Sequence, residues 1–182
     1  MKIDDLTLTL FEWPGIPSTI YGHHTGEFSG SSQLGLLTVK TDDGITGHAF
    51  LGAASRPAYL DARSLVDQLK PLVMGQDPLD REKLYRSMCN RLRATTLRAV
   101  GAVDVALWDI AGKVAGLPIY QLLGAARHSV PAYASSPVLS KVEEYVEQAL
   151  EHKSGGWAAY KIHPPAKWDV DIEVCGAVRK AV

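Results

Sequence analysis

Two basic side chains stand one residue apart late in the chain, Lys161 and His163, inside the apolar run Trp157 to His163 and directly before Pro164-Pro165. Such a run ended by prolines reads as a strand. Strand side chains alternate faces, so Ala159, Lys161 and His163 share one face, opposite Tyr160 and Ile162. Both basic groups fall at the strand's C-terminal end, where functional groups gather in parallel α/β architectures. Ser135 and Ser136 occupy the matching end of the preceding strand, Val130 to Ala134. A lysine that is desolvated, or set beside other cations, moves toward general-base range. An imidazole, with an ordinary pKa of about 6.5, takes a proton or hydrogen-bonds a hydroxyl. The bland alternative is a lysine snorkelling at a sheet end and a histidine capping a turn. Spacing alone fits both readings.

The elements that would position these groups follow a β-α-β-α order. After Val130 to Ala134, Ser135-Ser136-Pro137 ends the strand, and Ser140 with Glu143 predicts a capping box. Val142, Tyr145, Val146, Ala149 and Leu150 form one helical face, closed by Gly155-Gly156. A last helix places Val170, Val174, Ala177, Val178 and Ala181 on one side, with Asp169 as its predicted cap. Strand, helix, strand and helix in this order make parallel pairing with a right-handed crossover.

The first two thirds of the chain have a different grammar. Leu6, Leu8 and Leu10 alternate with Thr7 and Thr9 as a half-buried strand. Glu12 to Ser32, rich in Pro and Gly, reads as a long loop suited to a ligand-touching flap. Strands over Leu34 to Thr41 and Ile45 to Leu51 are joined by Asp42-Asp43-Gly44, a hairpin signal because Gly accepts positive φ. Three helices follow. Ala62 to Val73 carries helical spacing that Pro71 ends or distorts, and Asp77-Pro78 opens a helix through Leu84 and Met88. Val100, Val103, Leu107, Ile110 and Val114 step by 3 and 4 until Gly116 and Pro118. The reading is an α+β domain of a three-stranded antiparallel sheet plus helices over residues 1–125, with βα units over 126–182.

Nineteen Lys+Arg against 20 Asp+Glu leave a net charge of −1, which lacks the footprint that nucleic acid or an anionic membrane surface selects. No run approaches the roughly 18 apolar residues of a membrane span. Asp4 and Asp5 stand where a secretory leader would carry its apolar core. Cys89 and Cys175 show no metal-ligand spacing and make no disulfide framework, so a reducing cytoplasm is expected. Asp104 and Asp109, five residues apart on one helix, point to different faces and do not predict a shared ion. Trp108 reads as core rather than cofactor contact. His23-His24 is a poor metal pair, since adjacent rings rarely aim at one ion.

The runs Arg98-Ala99-Val100-Gly101-Ala102-Val103-Asp104-Val105-Ala106-Leu107-Trp108-Asp109-Ile110-Ala111-Gly112-Lys113 and Gly116-Leu117-Pro118-Ile119-Tyr120-Gln121-Leu122-Leu123-Gly124 carry a specific resemblance. They resemble the end of the capping domain in the enolase superfamily, mandelate racemase and muconate lactonizing enzyme group. Val130 to Ser135 resembles that group's first barrel strand, and Tyr160-Lys161-Ile162-His163 its second.

The resemblance implies a capping domain followed by the first two βα units of an incomplete β/α (TIM) barrel. It also implies a Mg²⁺-dependent enzyme that removes the proton α to a carboxylate, the metal stabilising the enediolate, as is general for enolase-type sites. The preferred activity is sugar-acid dehydration, a lyase reaction on a small hydroxy-carboxylate. The alternatives are a racemase, epimerase or cycloisomerase of the same group, or a non-catalytic truncated remnant. Relatives commonly end this strand in Lys-x-Lys, and here His163 takes the position of the second lysine, the usual base, while Lys161 matches the first. The loops that close over the site in relatives correspond to Tyr21 to Ser32 and Gly52 to Pro57. They make Tyr21, His23, His24 and Arg56, with Ser135, candidates for substrate binding. The family's metal ligands are carboxylates on the third to fifth barrel strands, expected beyond Val182, so no metal ligand is assigned here and this chain alone is expected to be inactive. A homo-oligomer is expected.

Overall fold

The computed structural model describes residues 1–20 and 26–182. The chain forms two compact units, one of residues 1–14 and 31–126, the other of 15–30 and 127–182.

Three strands, β1 (Ile3–Ile20), β2 (Glu27–Thr41) and β3 (Thr46–Leu51), lie in that order in one sheet. β2 and β3 pair antiparallel from Gly35↔Leu51 to Lys40↔Thr46, around the predicted Asp42-Asp43-Gly44 turn. Gly44 N–H donates to the Thr41 carbonyl at 3.0 Å there. The predicted loop from Glu12 to Ser32 is instead mostly strand, since β1 runs to Ile20 and β2 starts at Glu27. Pro14 and Pro17 are tolerated because β1 is an edge strand, with one side free of ladder bonds. Ser18 Oγ–H donates to the Glu27 carboxylate between the two strands.

The sheet's inner face, Leu37, Val39, Ala49 and Leu51, packs on helices in a core that includes Val100, Val103, Leu107 and Ile110 of α4 (Leu97–Ala115). Thr96 caps α4 by accepting the Ala99 N–H at 3.1 Å, and Gly116, with φ of 64°, ends it. Val114, on the predicted apolar face, is exposed. Trp108 is half-buried rather than core, with the Arg81 guanidinium stacked 3.4 Å from its ring centroid.

The helical region before α4 departs from expectation in detail. It comprises α1 (Tyr59–Ser64), a π segment (Leu65–Leu69), α2 (Lys70–Val73) and α3 (Arg81–Cys89). Pro71 distorts the first helix without ending it. Lys70 N–H reaches back five residues to the Leu65 carbonyl, a widened turn where proline crowds the carbonyl four residues earlier. Asp77 opens a turn rather than α3 itself. Its carboxylate accepts the Leu79 N–H at 2.9 Å, and α3 begins one turn later at Arg81. A short helix, α5 (Ile119–Leu122), follows α4.

In the second unit, β4 (Ala134–Ser135) pairs parallel with β5 (Tyr160–Lys161), in register Ala134↔Tyr160 and Ser135↔Lys161. Both strands are shorter than the predicted Val130–Ala134 and Trp157–His163 runs, because each has a ladder partner on one side only, and proline flanks both. α6 (Val142–Ser154) and α7 (Trp168–Ala181) cover them, around Tyr145, Ala149, Val174 and Val178. The predicted Ser140/Glu143 box shifts by one residue, since Glu144 accepts the Ser140 and Lys141 N–H groups at 3.0 and 3.1 Å. At α7, Asp171 rather than Asp169 accepts from the chain entering the helix, at 3.2 Å from Lys167 N. Residues 15–30 join this unit through Val138 N–H, which donates to the Ile20 carbonyl at 2.9 Å. No helix among the described residues is long and apolar enough to cross a membrane.

Candidate active site

Ser135, Lys161 and His163 meet at the C-terminal ends of β4 and β5. The ladder puts Ser135 beside Lys161, and Ser136 N–H donates to the Lys161 carbonyl at 3.0 Å, extending the pairing one residue further. Alternation along β5 behaves as the sequence implies. Tyr160 and Ile162 pack toward the helices, while Ala159 and Lys161 are exposed. The Lys161 ammonium lies 5.9 Å from the Tyr133 ring centroid, within range of a cation–π attraction. His163 Nδ1 is 3.4 Å from the Ser135 hydroxyl and 2.6 Å from the Ser136 carbonyl oxygen.

Behind these groups lies a buried polar network that sequence reasoning did not assign to the site. Ser136 is fully buried, and its hydroxyl accepts the His163 N–H at 3.0 Å. Tyr145 is also buried. Its hydroxyl donates to the His163 carbonyl at 2.9 Å and accepts the Leu139 N–H at 2.7 Å. Residue 163 is therefore gripped at its N–H, its carbonyl and its ring. Burial pushes the Tyr145 hydroxyl above the ordinary tyrosine range, against the Leu139 bond, so it stays protonated and able to donate. Burial also raises Tyr160, whose hydroxyl donates to Gln148 Oε1 at 3.0 Å, although a bond with Ser136 works the other way. The signal for Ser136 was its place at the strand end beside Ser135. Tyr145 offered only its position on an apolar helical face.

Arg56 belongs to the first unit, in the segment after β3. Its backbone forms a bridge with Ala53, N to O distances being 2.9 and 3.1 Å, and the Ser32 hydroxyl donates to the Ala53 carbonyl at 2.7 Å. The Arg56 guanidinium donates to the fully buried Asp61 at 3.2 Å. Asp61 also accepts from the Thr96 hydroxyl at 2.7 Å and lies 3.6 Å from Arg98 Nε. Buried carboxylates need such company. Arg56 thus anchors its loop through Asp61, a partner that local sequence patterns do not reveal. Tyr21, His23 and His24 lie outside the described residues. Among the described residues, no group of three or more His, Cys, Asp or Glu is placed to hold a metal ion. Lys161 and His163 offer nitrogen, not the oxygen donors that Mg²⁺ requires, so these residues do not fit that ion.

An α+β unit of three strands and helices, followed by parallel βα units with basic groups at the strand ends, defines the N-terminal half of an enolase-superfamily protein. Residues 23–124 match the mandelate racemase / muconate lactonizing enzyme N-terminal domain, and the chain belongs to that family. It is 36% identical over 139 residues to a D-galactonate dehydratase family member from Pseudarthrobacter chlorophenolicus, covering 74% of this chain and 34% of that one. It is 33% identical over 157 residues to a D-galactarolactone cycloisomerase from Agrobacterium fabrum, covering 81% and 40%. The fold is similar to D-glucarate dehydratase from Agrobacterium tumefaciens, crystallised with magnesium, at a TM-score of 0.79 and 28% identity, covering 100% of this chain and 51% of that one. The chain therefore spans about half or less of the length of these relatives.

Proposed function

We propose that this chain is the N-terminal part of a Mg²⁺-dependent lyase that dehydrates a sugar acid, starting by removal of the proton α to its carboxylate. The observation that carries the reading is the meeting of Ser135, Lys161 and His163 at the ends of the parallel pair β4 and β5. Similarity to a D-galactonate dehydratase family member and to a D-mannonate dehydratase supports the substrate class. Mg²⁺ would be held by carboxylates that are not among the described residues, and would supply stabilisation of the negative charge that develops when the proton leaves. Lys161 contributes a fixed positive charge beside the substrate carboxylate. His163 contributes a nitrogen for proton transfer or for a substrate hydroxyl, and Ser135 hydrogen-bonds a substrate hydroxyl. The 182-residue chain alone is proposed to be inactive.

A cycloisomerase is the second reading, supported by the relative named D-galactarolactone cycloisomerase. The test is magnesium-dependent turnover of a sugar-acid and sugar-lactone panel by a full-length enzyme carrying this segment. Release of water, giving a keto acid, identifies the dehydratase, whereas isomerisation of a lactone without water loss identifies the second reading. Lys161→Ala and His163→Asn are each expected to lower kcat/KM by about 100-fold or more. Near-normal turnover in both removes these residues from the site.

A further inference from the structure

The Tyr145 hydroxyl joins two segments of backbone that share no ladder. It lies buried on the inner face of α6, accepting the Leu139 N–H at 2.7 Å and donating to the His163 carbonyl oxygen at 2.9 Å. A hydroxyl has one proton to give, and the Leu139 carbonyl oxygen, at 3.4 Å, is the more distant acceptor. Leu139 belongs to a stretch in which four consecutive N–H groups are held. Val138 donates to the Ile20 carbonyl at 2.9 Å, Leu139 to Tyr145, and Ser140 and Lys141 to Glu144 at 3.0 and 3.1 Å. Such a stretch is a firm support. At the other end, β5 stops at Lys161, so the ladder no longer sets the path of the chain at residue 163. Hydroxyls take over there, Ser136 at the His163 N–H and Tyr145 at its carbonyl.

We infer that Tyr145 is a positioning residue, whose hydroxyl braces the His163 peptide against residues 138–141 and so fixes where residue 163 stands beside Lys161. This rests on the proposed place of His163 in the site and adds to it a residue from a helix. Tyr145 is buried, so it acts through His163 rather than on a substrate. No proton moves to or from it during the reaction. Its contribution is placement, and a small displacement of a reacting group costs rate far more than affinity.

The first test is amide exchange in the 182-residue chain. Tyr145→Phe keeps the ring and removes only the hydroxyl. It is expected to speed exchange at Leu139 and His163 by about tenfold, while Ala149 and Val174 stay within about twofold. Equal acceleration at all four makes the hydroxyl a general stabiliser and overturns the inference. Should the variant not fold, the wild-type chain still decides: the Leu139 amide is expected to be protected by about tenfold or more, and free exchange there overturns the brace. The second test is a double-mutant cycle for turnover in a full-length enzyme carrying this segment. Tyr145→Phe is expected to lower kcat about tenfold with KM within about threefold. In a His163→Asn background its further effect is expected to stay below about twofold, and fully additive losses overturn the inference. The underlying reading fails separately. Normal turnover of His163→Asn removes His163 from the site whatever the exchange pattern, whereas an inactive His163→Asn beside a fully active Tyr145→Phe refutes only the brace.

Discussion

Asp104 and Asp109 share α4, yet their surroundings drive their carboxyls in opposite directions. Burial would raise Asp109, but the Lys113 ammonium at 2.8 Å and the His48 N–H at 2.9 Å outweigh it and hold the group below the ordinary carboxylate range. Asp104 is raised, first by burial and then by the nearby Glu82 charge, with Arg81 only partly offsetting them. A carboxyl raised in the folded state is a cost at neutral pH that disappears as pH falls below its unfolded value. Asp104→Asn is therefore expected to raise the thermal midpoint at pH 7 by about 1–3 °C. Differential scanning at falling pH should show that gain shrinking toward pH 4. Side-chain placement of this kind was partly legible: alternation put Lys161 opposite Tyr160 without help. The grip of Ser136 and Tyr145 on His163 was not, since a hydroxyl's partner depends on loops that no periodicity encodes.

Among the elements, α4 was the most legible, because its 3-and-4 spacing and its stop at Gly116 and Pro118 all act within one short stretch. The course of β1 through Pro14 and Pro17 was illegible for the converse reason. Whether a proline is tolerated depends on which strand lies at the sheet edge, a non-local fact. The contact of β3 with α4 shows how closely two elements can be fitted. A Cβ on Gly47 would stand 2.0 Å from the Ala106 carbonyl oxygen and 2.7 Å from Ile110 Cγ1. The first obstacle is helix backbone, which cannot swing aside as a side chain can. Gly47→Ala is expected to destabilise by about 1–3 kcal/mol or more. Urea unfolding should register this as a lower midpoint at unchanged slope, and an unchanged midpoint would mean that β3 and α4 are not in this contact.

At the scale of the molecule, the two units have very different interiors. Nineteen buried apolar residues among those described make the core of the first, and four make that of the second. Trp168 and Ile172 of α7 are 79% and 66% exposed, so much of the apolar surface in the second unit contributes nothing to its core. Amide exchange is expected to be at least about tenfold slower in α4 and β3 than in α6 and α7. Equal protection would show that the chain unfolds as one cooperative body. The sequence carried the division into an α+β part and a βα part through the change of pattern near Gly124. It did not show that Ile20, at the end of β1, pairs with Val138 of the later part, because that bond joins residues far apart in the chain.

That bond also imposes a timetable. On the ribosome, Ile20 emerges early, while Val138 emerges only after β2, β3 and α1 through α5 have been made. The ends of β1 and β2 must therefore wait for their neighbours in the second unit while the base of the same hairpin is already free to join its sheet. Closing so long a span is slow compared with the local pairing of β2 and β3. Nascent chains paused before residue 138 should therefore hold a formed sheet base with Ile20 still lacking its Val138 partner, open to whatever else in the cell can bind a bare strand end.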